Sequence, residues 1–87
     1  MSATANVRDD LRAYIEQNFL YMHPGVELRN DEDMLAKGVI DSLGFVEIVE
    51  EIQDRYSIEI LDVEITEENF GSIDAISAFI GSKQAAS

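Results

Sequence analysis

The chain has 87 residues, 46% of them apolar, with 18 Asp and Glu against 6 Lys and Arg for a net charge of -12. That length supports one core and no second domain, and the charge repels nucleic-acid backbones and anionic lipid surfaces. With no Cys there can be no disulfide, thiolate metal site or cysteine nucleophile. No apolar run approaches the roughly 20 residues of a bilayer span and MSATANVRDD lacks the regions of a secretory signal, so the expected setting is cytoplasmic, without membrane insertion.

Val7, Leu11, Tyr14, Ile15, Phe19 and Met22 recur at three- and four-residue intervals, which predicts a first amphipathic helix from Val7 to Met22. Asn6 can cap it, Asp9 sits in its first turn, and His23-Pro24-Gly25 ends it, because a residue before Pro is pushed out of the helical region. Residues 24–41 form a long loop of turn-formers and charges. It also carries Val26, Leu28, Met34, Leu35, Val39 and Ile40, which predicts that it is pinned to the core. Asp41 or Ser42 opens a second helix to about Tyr56, with Phe45, Ile48, Val49, Ile52 and Tyr56 on one stripe. Ser57-Ile58-Glu59-Ile60 alternates like a strand but has no partner to pair with, so it is expected to be extended loop.

Thr66 can cap a brief third helix through Phe70. Ser72 can cap a last one, with Ile73, Ile76 and Ile80 inward and Gly81 as terminator. The expectation is all-α: a small antiparallel four-helix bundle of three longer helices and one short one, with a long loop between helices 1 and 2. One monomeric domain would span residues 1–87, with 1–5 and 82–87 as flexible tails.

On a helical wheel of about 100° per residue centred near Phe45, Leu43 falls about 160° away, on the outer face of the second helix. Glu47, Glu50 and Asp54 share that face and Val46 lies at its border, so a small apolar spot beside Ser42 is ringed by carboxylates. A stray exposed Leu on a solvated face is common, but an apolar centre with a charged rim is also how a docking patch is built. A Ser at a helix start is most often only a cap, yet a helix N-terminus also suits a covalent phosphate. Asp41 would oppose that phosphate, and makes better sense acting on a modifying enzyme, for instance on its catalytic metal.

Gly38-Val39-Ile40-Asp41-Ser42-Leu43, followed by Phe45-Val46-Glu47-Ile48-Val49-Glu50-Glu51-Ile52, resembles the signature of the acyl carrier protein superfamily, and the resemblance covers almost the whole chain. It implies that Ser42 carries 4'-phosphopantetheine, attached from coenzyme A by a phosphopantetheinyl transferase. The arm's distal thiol would then hold an acyl or aminoacyl group as a thioester. It further implies that Asp41, Leu43, Val46, Glu47, Glu50 and Asp54 dock the transferase, a loading ligase and downstream enzymes with basic surfaces. The protein would carry intermediates without being an enzyme or holding a metal. Gly38 three residues before Asp41, and Gly44 where fatty acid synthesis carriers have an acid, look more like the D-alanyl, aminoacyl and stand-alone carriers. Phe45 is bulkier than the usual residue there and speaks against an interior tunnel for a long chain.

Rival chemistries fit less well. Ile40-Asp41-Ser42-Leu43-Gly44 lacks the first Gly of a nucleophile elbow and a preceding strand. His23, the one histidine, sits at a helix end where a surface or capping role is expected. Counted from Asp31, the sixth position is Ala36 and the twelfth is Ser42, so Asp31-Glu32-Asp33 does not begin an EF-hand and is expected to be a solvated loop. The main alternative is an unmodified acidic adaptor that binds a basic protein through the second helix.

Overall fold

The apolar stripes wind into four helices in the computed structural model, which describes residues 3–86 and the side chains of residues 7–85. Helix α1 spans Ala3–Asn18, α2 Ser42–Tyr56, α3 Glu67–Phe70 and α4 Ile73–Ala86, with 3-10 turns at Leu20–Met22 and Asp62–Glu64. No strand forms among the described residues, and Ser57–Ile60 is irregular as expected. Residues 1, 2 and 87 lie outside the described residues, as does the side chain of Asn6.

Three helix ends differ from the sequence reading: α1 already begins at Ala3, so Asn6, expected as its cap, lies within the helix and Asp9 beyond its first turn. The first α-helix stops at Asn18, and the chain tightens into a 3-10 turn closed by His23 N–H donating to the Leu20 carbonyl at 2.9 Å. With three residues per turn the phase of the stripe changes. Phe19 stays buried, while Met22, expected to face inward, is exposed together with Tyr21. At the other end α4 does not stop at Gly81 but continues to Ala86. A helical Gly costs about 1 kcal/mol, and the turn beyond it is held by Lys83, whose Nζ meets Glu64 Oε1 at 2.7 Å.

Ile15, Met34, Ile48, Ile52, Phe70, Ile73, Ile76 and Ile80 are wholly enclosed and draw all four helices and the long loop into one core. Helices α1 and α2 run antiparallel: Phe19 just after α1 meets Gly44 at the start of α2, while Tyr14 further back in α1 lies under the Arg55 guanidinium near the end of α2. Helix α4 packs against both α1 and α3. The radius of gyration is 12.3 Å, close to the roughly 12 Å expected of a compact chain this long.

The long loop is fastened as its apolar residues predict, with Leu28, Met34, Val39 and Ile40 buried. Arg12 on α1 donates to the Leu28 carbonyl and to Asn30 Oδ1, each at 2.6 Å. Met34 N–H reaches the Gly71 carbonyl at 2.8 Å, and Asp74 N–H reaches the Asn30 carbonyl at 2.9 Å. Its acids are tied in more closely than a solvated loop requires. Asp31 pairs with Arg29, Glu32 pairs with Lys37 and accepts from Arg29 N–H, and Asp33 Oδ1 accepts the N–H groups of Leu35 and Ala36. Gly38, at φ +74, makes the left-handed turn that delivers the chain to α2.

Candidate functional site

The site grows from the start of α2. Asp41 is the N-cap, and its Oδ1 accepts the Gly44 N–H at 2.8 Å. That fixes Ser42 as the first helical residue and relieves its hydroxyl of capping. Ser42 is exposed, and its Oγ engages no hydrogen-bond partner among the described residues. The Ser42 and Leu43 amides precede the first intrahelical acceptor, so the positive end of the helix dipole lies beside this hydroxyl. Of the two residues that could open the helix, Asp41 is the cap, so it has a structural task within its own chain.

Two open grooves flank the serine. One of about 370 Å³ is lined by Ser42 itself with Leu35, Phe45, Val46, Ile65, Thr66 and Glu67. The other, of about 510 Å³, lies against Phe19, Met22, His23, Asp41, Leu43 and Glu47. Leu43 is 65% exposed and Val46 53%, which places both on the outer surface. Glu47, Glu50 and Asp54 are exposed on the same helix. At about 1.5 Å per residue, Glu50 and Asp54 lie about 12 and 18 Å along the axis from Ser42, so they form a trail leading away from it. Glu47 borders the second groove. The acidic field reaches inward too: the Tyr14 phenol is pushed above its ordinary pKa first by burial and then by the charges of Glu51 and Glu47.

No protein-family model and no curated protein matches the chain. Among solved structures, a chain in a crystal structure described as an FAD-dependent dehydrogenase matches at 26% identity with a TM-score of 0.66, over 80% of this chain and 97% of that one. Four-fifths of an 87-residue chain spans nearly all of the matched chain, which is therefore itself a domain of about this size.

Phe45 does not lie at the centre of the buried stripe of α2 as the wheel assumed. Gly44, Ile48, Val49 and Ile52 are buried, and Phe45 stands half-buried at the border, where it walls the groove at Ser42. Its spacing of three from Ser42 was the available signal for that position. Leu35, Ile65 and Glu67 reach the groove from other elements, and no spacing within the sequence links them to Ser42. Exposed Leu61 and Val63, on the 3-10 turn before α3, were likewise not singled out. Gly44 has a packing reason. A Cβ there would meet Phe19 Cε1 at 2.9 Å and Ile40 Cβ at 3.3 Å, so an acidic side chain has no room.

Among the described residues no three His, Asp or Glu side chains converge to hold a metal ion, and no helix is long and apolar enough to cross a membrane.

Proposed function

We propose that this protein is a cytoplasmic carrier of the acyl carrier protein superfamily, which holds acyl or aminoacyl intermediates on a phosphopantetheine arm at Ser42. The observation that carries the reading is the division of labour at the head of α2. Asp41 does the capping, and the hydroxyl of the next residue is left exposed and without a partner at a helix N-terminus. An ordinary capping serine would be engaged with the backbone.

The residues present fit a phosphodiester there. Attachment forms a bond from Ser42 Oγ to the phosphorus nearest the pantetheine, breaks the diphosphate bond of coenzyme A and releases adenosine 3',5'-bisphosphate, the serine proton passing to a base on the transferase. The Ser42 and Leu43 amides and the helix dipole favour the resulting anion by about 0.3 to 1 kcal/mol. The group supplies a thiol, the one reactive function that a chain without Cys lacks. Leu43 and Val46, with Asp41, Glu47, Glu50 and Asp54 around and beyond them, offer an apolar contact with a carboxylate rim to enzymes bearing basic surfaces.

The dehydrogenase likeness is one of fold. This chain's five glycines stand singly, and it has no strand among the described residues on which to mount a dinucleotide fingerprint. We propose a flavin-dependent dehydrogenase, the description borne by the matched structure, as one class of downstream partner to test.

Incubation of the purified protein with coenzyme A, Mg2+ and a broad-specificity transferase is expected to add one phosphopantetheine by intact mass, and Ser42→Ala is expected to abolish it. No adduct on the native chain would reject the carrier in favour of an unmodified acidic adaptor, and an adduct surviving Ser42→Ala would move the site.

A further inference from the structure

The interior next to Ser42 is filled by aromatic rings. Phe45, on the wall of the groove, meets Phe70 edge-on with centroids 6.2 Å apart and planes at 76°. Phe70, wholly enclosed, lies 4.9 Å from Phe79 of α4 at 55°. Ring pairs at these separations are in contact, so the three form a continuous wall from the groove beside Ser42 to α4. Behind it Ile73, Ile76 and Ile80 are wholly enclosed as well. On the Ser42 side, the space between α2, α3 and α4 is thus faced by the Phe45 ring with Phe70 packed behind it.

We infer that Phe45 is a length-determining residue: it keeps whatever the arm carries outside the bundle. The inference rests on the carrier reading and narrows its cargo to groups that need no shelter from water, namely aminoacyl and short or polar acyl groups. A long alkyl chain would have to displace a ring already packed against Phe70, in an interior of native density that has few voids larger than a water molecule. The groove outside that wall is open to solvent and lined by Leu35, Val46 and Ile65, so an alkyl tail lying there stays wet on one side.

Transferase with acetyl-, hexanoyl- and octanoyl-coenzyme A loads each group directly onto the native protein, and hydroxylamine cleavage of each thioester is followed by intact mass. Burial of a methylene is worth about a factor of four in an equilibrium constant, so a sheltered octanoyl group would be cleaved far more slowly than an acetyl group. The native protein is expected to release all three at rates within about fourfold, the effect of burying one methylene, whereas an octanoyl thioester slower than the acetyl one by more than that would overturn the inference.

Phe45→Ala opens the wall and is expected to slow octanoyl cleavage by about fourfold or more relative to acetyl. Phe45→Leu replaces it as the deciding variant if circular dichroism finds Phe45→Ala unfolded. A folded variant without any dependence on chain length would show that Phe45 is not the barrier. Failure to load any group rejects the carrier reading itself, an outcome separate from a loaded but sheltered chain.

Discussion

At Gly44 the missing side chain sets how closely the end of α1 approaches the start of α2. The nearest atom to a Cβ at this position belongs to the Phe19 ring, which is itself buried and has Tyr14 packed edge-on at 6.0 Å. The ring cannot swing away as the end of a flexible chain would. Alanine gains about 1 kcal/mol of helix propensity over glycine, but overpacking a core costs about 1 to 3 kcal/mol. Gly44→Ala is therefore expected to lose about 1 kcal/mol in urea unfolding, and Gly44→Asp at least about 2, because a carboxylate would also be brought into a dry contact. A stabilised Gly44→Ala would mean that Phe19 yields freely and that the glycine has no packing role. At this scale the outward set Leu43, Val46, Glu47, Glu50 and Asp54 was legible, because one helix period decides it. The choice between Asp41 and Ser42 as cap was not, since either side chain can accept a first-turn N–H.

Among the elements, α2 was the most legible, in its extent to Tyr56 if not in the identity of its cap, because its stripe is long and bounded by polar residues at both ends. The end of α4 was the least. Gly81 reads locally as a stop, and what overrides it is a contact with a turn 19 positions earlier in the chain. Lys83 reaches Glu64 of the Asp62–Glu64 turn, and its ammonium also lies 5.6 Å from the centre of the Phe79 ring. The Glu64 carboxyl is held below its ordinary pKa, first by Lys83 and then by the Leu61 N–H. A carboxylate whose pKa is depressed on folding contributes stability above its unfolded pKa, and that contribution is lost as pH falls through the folded value. The stability gap between the native protein and Lys83→Met is expected to be larger at neutral pH than at about pH 3, below the ordinary glutamate value of about 4.3. Urea midpoints of both proteins at the two pH values measure it, and an unchanged gap would assign the effect of Lys83 to Phe79 packing alone.

Over the whole molecule, charge is unevenly answered. The six basic residues all pair with acids: Arg8 with Asp74, Arg12 with Glu16, Arg29 with Asp31, Lys37 with Glu32, Arg55 with Glu51 and Lys83 with Glu64. No basic side chain forms an ion pair with Asp41, Glu47, Glu50 or Asp54 among the described residues, so the excess charge of -12 falls in part on the face that flanks Ser42. Self-repulsion of that excess opposes compactness. Salt weakens the repulsion and the six surface pairs together, as the screening length falls from about 10 Å at 0.1 M to about 3 Å at 1 M. Exposed pairs are worth about 0 to 1 kcal/mol each, and against six of them stands an uncompensated charge of -12, so relief of the repulsion is expected to prevail. Added NaCl at neutral pH is therefore expected to raise the urea midpoint of the isolated protein while weakening its association with a basic partner such as the transferase. Opposed signs are the outcome that the proposed docking face requires, with acids that cost stability in the free chain answered by a partner's cations on binding. A midpoint that falls with NaCl would make the six pairs the dominant electrostatic feature, and a transferase affinity indifferent to salt would place recognition on Leu43 and Val46 alone.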